Sequence, residues 1–222
     1  MSEKLYNVKQ CLRNNGVALT IIIYYRKILN KVYNYLVLGR LDTNIDSRAN
    51  LLGLKYIKLG ENFSAGRGLW LEAVTRYNGK NTNPKIIIGN DVSFSEYNHI
   101  GAVSYIEIGN NVLFGSRCYI TDHNHGIYKG DSQSCVSTPP IKRDLTTDGS
   151  IVIEDNVWIG DNVVILPNVK IGYGSIVGAN SVVTEDIPPS SIAVGIPVKV
   201  IKVWNNTTTK WEWCDSKRNR DK

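Results

Sequence analysis

No apolar run in this chain of 222 residues is long enough to cross a bilayer. The longest, Val17 to Tyr25, falls well short of the roughly 20 residues a spanning helix needs. The first residues also lack a short apolar core followed by a small-residue cleavage site, so secretion is not expected. Cysteine is sparse: Cys11, Cys118, Cys135 and Cys214 show no CxxC spacing and no clustering. That excludes a disulfide scaffold and a zinc ribbon, and free thiols in a reducing cytoplasm are the expectation. The net charge of +6 comes with no nucleic-acid-binding motif. It sits at the two ends, in residues 1–50 and 199–222, and leaves the middle mildly acidic. Basic ends on such a body suit an anionic cofactor or an anionic membrane surface better than a nucleic acid.

What the chain has is a beat of six. From Ile153 to Pro188 a bulky aliphatic returns at Ile153, Ile159, Ile165, Ile171, Val177 and Val183. A helix repeats its apolar face at 3.6 residues and a half-buried strand at 2, so a period of six demands another construction. Short strands joined by tight corners supply it, one inward aliphatic per strand, with Gly, Asn and Asp at corners that need positive φ. Three strands close one turn of a prism, and the turns stack at about 4.8 Å. The expected fold is an all-β solenoid, a parallel β-helix. The same beat runs through Leu59, Ala65 and Leu71, then Ile88, Phe94 and Ile100, then Ile108, Phe114 and Ile120, which predicts about five coils in all.

The rest of the chain is arranged around this ladder. Residues 1–48 form an N-terminal extension, helical over 5–40, where Leu12, Leu19, Ile23, Ile28, Val32, Tyr35 and Leu36 share a stripe with Arg13, Arg26, Lys27 and Lys31 among them. Two readings stand: the stripe packs on the body or a sister subunit, or it lies in a membrane interface. The solenoid is expected over 49–203 and a tail over 204–222, packed on the last coil and then fraying. Two stretches break the beat, residues 77–87 and the longer 126–150. A long loop inside so regular a solenoid points to a lid or binding loop. Two of the three histidines, His123 and His125, stand at its root.

The hexads, the loop after a His-bearing segment, the Val157-Trp158-Ile159-Gly160 that follows, and the closing run from Ala193 to Lys202 together resemble the hexapeptide-repeat acyltransferases. Among them the chain is most similar to the O-acetyltransferases of sugars and bacterial surface polysaccharides, over about residues 50–203. The resemblance implies a left-handed prism, a homotrimer with active sites between neighbouring prisms, and acetyl-coenzyme A as donor. It also implies a catalytic base at the position of His123, with Trp158 flanking the reacting end of the donor. Gly160, Asp161, Gly178 and Ala179 would allow close approach of its arm, and Thr184 would lie near its far end. Where the family often has Lys after that Thr, this chain has Glu185, so Lys199 and Lys202 are left to meet the phosphates.

A sugar hydroxyl is a poor nucleophile and needs a base as the bond forms, a task suited to an imidazole near neutrality. His123 is preferred and His125 is its rival, because residues two apart on an extended segment point to the same side. Asp122 either fixes the tautomer of the ring or satisfies backbone amides at a corner. Asn98 is the preferred contact for the acceptor, a carbohydrate that is lipid-linked if the protein works at the inner membrane face. Cys118 occupies a corner place in its hexad and is not expected to act as a nucleophile. No metal is expected. Three rivals remain: N-acetylation of an amino sugar nucleotide, a three-histidine zinc site like that of the γ-class carbonic anhydrases, and a catalytically silent scaffold.

Overall fold

The computed structural model describes residues 3–214. From Asn44 the chain winds as a left-handed parallel β-helix with three faces. Face one starts with Asn44–Ile45 and gains a strand per coil up to Ser191–Val194. Face two runs from Asn50–Leu52 to Val182–Val183, and face three from Ile57–Leu59 to Val169–Ile171, with a bridge from Ile171 to Ile187. Face two holds six strands, so the prism has six coils rather than the expected five. The count fell short because only Ile45 and Leu51 mark the first coil at the sixfold spacing, and the next step, to Leu59, is eight residues long across a 3-10 turn at Leu54–Tyr56.

Inward aliphatics stack in register. On face two Leu71, Ile100, Ile120, Ile165 and Val183 lie one above another and all are fully buried. Burying each such side chain contributes about 1.5 to 3 kcal/mol, repeated on three faces, and this offsets the ordering of short strands that could not stand alone. On face one Phe94 and Phe114 stack with ring centroids 4.2 Å apart. Corners are closed by residues in the left-handed region, among them Asn111, Asn156, Asn162, Asn168 and Asn180. Asn tolerates that conformation best after Gly, and beside Asn111 the preceding Asn110 ties the coils together, its Oδ1 accepting from the backbone N–H of Asn90 one coil away. Gly160 meets a different demand, since a Cβ there would lie 2.6 Å from the backbone N of Ala179 in the next coil.

After the last coil the chain turns back: Lys199–Asn205 and Lys210–Trp213 add an antiparallel hairpin to face one. The expected tail is therefore a sheet extension as far as Trp213, while residues 215–222, where fraying was expected, lie outside the described residues.

The N-terminal helix α1 (Glu3–Leu38) is two helical segments meeting at Gly16, whose φ of 72° and ψ of 174° are not helical. Of the readings open to its apolar stripe, packing on the body of the same chain is not met. Asn30, Tyr33, Asn34 and Leu38 face the first coil instead. Asn34 is fully buried; its Nδ2 donates to the carbonyl of Ile45 and its Oδ1 accepts from Ile45 N–H and the Thr43 hydroxyl. Satisfied in this way, an amide docks a helix at a fixed register, which a smooth aliphatic contact would not do. Leu19, Ile28, Val32, Tyr35 and Leu36 remain exposed. No helix among the described residues is long and apolar enough to cross a membrane.

Candidate active site

Both interruptions of the beat leave the prism at one vertex, where face two hands over to face three. The shorter is a hairpin, Arg76–Tyr77 against Lys80–Asn81, and the longer begins as Asn124–His125 paired antiparallel with Leu145–Thr146. The hairpin buttresses the loop. Tyr77 Oη and Asn78 Nδ2 donate to the carbonyl of Ile141, at 3.1 and 3.0 Å, Asn78 also reaches the carbonyl of Arg143, and Lys80 pairs with Asp144 at 2.6 Å. Inside the loop Tyr128 Oη donates to the carbonyl of His125 and itself accepts from Arg143.

At the root of this loop stands His123. Asp122, wholly buried, accepts from the backbone N–H groups of Val103 and Ser104 at 2.9 and 2.8 Å, and its Oδ1 lies 3.1 Å from Nδ1 of His123. The two readings of Asp122 are thus both met: it secures the turn of the neighbouring coil and faces the ring. A carboxylate only accepts, so in the neutral ring the proton sits on Nδ1 and the lone pair on Nε2. Thr121 Oγ1 adds a second contact to Nδ1 at 3.1 Å. The ring is largely buried, and Cε1, the atom beside Nε2, overhangs Gly101.

His125 does not share this position. Strand pairing at the loop root turns it toward the hairpin, where its ring meets Tyr77 edge to face at 5.2 Å. Only His99 approaches His123: a Cβ built on Gly101 would lie 3.6 Å from His123 Cε1 and 3.8 Å from His99 Nε2. Among the described residues no three histidine, cysteine or carboxylate side chains gather to hold a metal ion.

Asn98 requires a correction. It is buried, its Nδ2 donates to the carbonyls of Ser95 and Gly115, and its Oδ1 accepts from Cys118 N–H, which leaves nothing to offer an acceptor. Its place inside the corner explains this, because a buried amide must spend its polar atoms on the backbone around it. The outward neighbours of the face-two aliphatics are what line the region: Trp70, His99 and Tyr119 form a column, with Trp70 stacked on His99 at 4.6 Å and His99 meeting Tyr119 at 5.1 Å. The signal was present in the sequence as three aromatic rings, each just before an inward Leu71, Ile100 or Ile120.

The expected donor residues fall in two places. Thr184 is on the His123 vertex, where it joins Asn124, Gly126, Tyr128, Lys129, Asp148, Leu166 and Pro167 around a groove of about 290 Å³. Trp158 projects from face one, half exposed, between Leu113 and Ile176 in register. Gly160 and Gly178 lie on the same face, followed by Asp161 and Ala179 at the corner, where Asp161 Oδ1 accepts from Ser116 N–H at 2.5 Å. Lys202 places Nζ 4.2 Å from the Trp213 ring centre, and Lys199 is exposed on the same hairpin.

Cys118 is buried with its thiol donating to the carbonyl of Gly160 at 3.2 Å, and burial pushes its pKa up to about 11. Cys135 is exposed in the loop, and hydrogen bonding from Ser137 lowers its pKa. Because the thiolate is the reactive species, a maleimide at neutral pH is expected to modify Cys135 within minutes and leave Cys118 untouched in the folded protein. Peptide mass mapping reads both sites, and rapid modification of Cys118 would contradict its packing.

Comparison with known proteins bears on this arrangement. Residues 150–185 match the family described as bacterial transferase hexapeptide (six repeats), and residues 105–131 match the hexapeptide repeat of succinyl-transferase. The chain is 41% identical over 157 residues to WbbJ of Escherichia coli K12, named for O-acetyl transfer in lipopolysaccharide biosynthesis; the match covers 70% of this chain and 76% of that protein. It is 30% identical over 182 residues to the galactoside O-acetyltransferase of the same organism, covering 79% and 77%. Among solved structures, a variant of the N-acyltransferase AntD of Bacillus cereus in complex with dTDP-4-amino-4,6-dideoxyglucose and coenzyme A superposes with a TM-score of 0.60 at 25% identity, over 75% of this chain and 83% of that one.

Proposed function

This chain belongs to the hexapeptide-repeat acyltransferases, and from that premise we propose that it transfers acetyl from acetyl-coenzyme A to a sugar hydroxyl, on a bacterial surface polysaccharide or its precursor. The observation that carries this reading is the His123–Asp122 pair: an imidazole with Nδ1 facing a buried carboxylate, Nε2 without a hydrogen bond among the described residues, and a ring edge that overhangs the side-chain-free Gly101. In the proposed step the acceptor oxygen attacks the thioester carbonyl while Nε2 takes its proton. The new C–O bond forms, the C–S bond breaks, and the proton passes from Nε2 to the departing sulfur. No acyl-enzyme is needed, in keeping with the inert Cys118.

The donor would be held by Trp158 and the exposed apolar residues flanking it on face one, with the corner at Asp161 and Ala179, the groove by Thr184, and Lys199 and Lys202 near its phosphates. Trp158 stands on the face opposite the His123 vertex of its own prism, so one ligand meets both only if two copies lie side by side. That geometry supports a homotrimer with shared sites, as the resemblance implies. The bare apolar stripe of α1, flanked by Arg13, Arg26, Lys27 and Lys31, supports a peripheral seat on an anionic membrane where lipid-linked glycans are built.

A second reading, N-acetylation of an amino sugar nucleotide, draws on the ligand of the B. cereus neighbour. Release of coenzyme A thiol, measured with sugars, lipid-linked oligosaccharides and amino sugar nucleotides in parallel, separates the two. Acetate esters in the product are the expected outcome. Acetamides alone would replace this reading with the second.

A further inference from the structure

The proposed base is not alone above Gly101. His99 and His123 come from successive coils, yet both rings converge on Gly101, where the absence of a side chain leaves a notch between them. A Cβ on Gly101 would lie 3.6 Å from His123 Cε1 and 3.8 Å from His99 Nε2, so both ring edges stand within reach of one small group above Gly101, and hydrogen bonds of about 2.8 Å from the two rings can meet neighbouring hydroxyl oxygens of one ligand there.

His99 is held for such a task. Trp70 stacks on one face of its ring with planes 18° apart, Tyr119 meets it edge to face, and Trp70 is itself tied by its indole N–H to Glu72 Oε2 at 2.9 Å. Neither ring nitrogen of His99 makes a hydrogen bond among the described residues. Burial pulls its pKa below the ordinary imidazole value, Glu72 pushes it back up, and His123 pulls it down again. The ring is therefore neutral at pH 7, with one nitrogen to donate and one to accept. An unpaired neutral imidazole beside a proposed base, clamped by an aromatic column, has no structural task that an aliphatic residue would not perform as well.

We propose that His99 is the specificity-determining contact for the acceptor, hydrogen-bonding the hydroxyl vicinal to the one acetylated at His123, so that the substrate class is a pyranose presenting a vicinal diol. This rests on the O-transfer reading above. Trp70 and Tyr119 act as positioning residues, through His99, and their exposed edges offer an apolar border to the ring that carries the diol.

The test uses the full-length protein with acetyl-coenzyme A and a panel of methyl glycopyranosides, each paired with the deoxy sugar that lacks the hydroxyl next to the acetylated position. For the wild type, kcat/KM is expected to fall at least about tenfold on removal of that hydroxyl, the loss of one well-made hydrogen bond. His99→Phe, which keeps the stack and removes both nitrogens, is expected to process parent and deoxy sugars equally within about twofold, and His99→Gln to recover part of the discrimination. A wild type indifferent to the vicinal hydroxyl, or a His99→Phe variant that still discriminates, overturns the proposal while leaving O-transfer intact. The wild-type comparison is decisive even if the variant fails to fold. Absence of acetyl transfer to every glycoside would remove the parent reading and this one together.

Discussion

Replacing His123 with alanine is expected to lower kcat for acetyl transfer by about 10²- to 10⁴-fold, the usual worth of a positioned general base. The KM for acetyl-coenzyme A is expected to stay close to that of the wild type, because nothing in the reading assigns the ring a role in holding the donor. The substitution itself is mild for the fold. His123 sits at a loop root, and the buried carboxylate beside it keeps its two backbone partners, Val103 and Ser104. His125→Ala, by contrast, is expected to fall by less than about tenfold, since that ring contacts Tyr77 and stabilises the loop without reaching the notch. Steady-state rates with one acceptor measure both. If His125→Ala were the inactive variant, or if both kept full activity, the assignment of the base would be wrong. The pair also distinguishes chemistry from architecture, because a general loss through loop collapse would strike at His125 at least as hard.

Gly160→Ala is the second large effect, and it is expected in the fold instead of the chemistry. A Cβ at this position would lie 2.6 Å from the backbone N and 3.0 Å from the Cα of Ala179. No side chain can move aside there, since the obstacle is the main chain of the next coil. That chain is pinned by the stacking bonds on either side, such as Gly160 N–H to the carbonyl of Val177 at 2.8 Å. The coils would have to part by a large fraction of an ångström, and each bond and each aliphatic contact between them would weaken together. The expected cost is at the upper end for a single substitution, about 4 kcal/mol or more, seen as insoluble protein or a melting transition lowered by ten degrees or more. An alanine variant that melted within about two degrees of the parent would show that these coils separate freely.

The sequence announced the solenoid because the cause of the fold is itself periodic. One aliphatic per strand must point inward, so Ile153, Ile159, Ile165 and Ile171 mark the coils without any knowledge of how the coils stack. The first coil escaped detection because only Ile45 and Leu51 mark it and a 3-10 turn stretches the next step, to Leu59, to eight residues. The place of His123 and Asp122 at a loop root was legible for a related reason: they stand where the beat stops. The divergence of His125 was not, since it depends on pairing with Leu145, twenty residues further along, and no local rule encodes that partner. The role of Asn98 was not legible, because a polar side chain near a site reads alike in the sequence whether it is exposed or buried, and here burial commits all three of its bonds. Of the neighbours open to the helix stripe, the body of its own chain is the one that the structure does not give it. A small polar set, Asn30 and Asn34 with Tyr33, docks the helix and leaves the aliphatics free.

Both excursions from the prism share one vertex, and each bonds chiefly to the other or to itself, through Tyr77, Asn78 and Lys80 on one side and Ile141, Arg143 and Asp144 on the other. The rungs beneath need neither segment in order to stack. The two excursions can therefore change in sequence without loosening the prism, provided that they change together. Swapping them as a matched set between sister proteins would leave the coils intact, whereas swapping either alone would sever the braces between them.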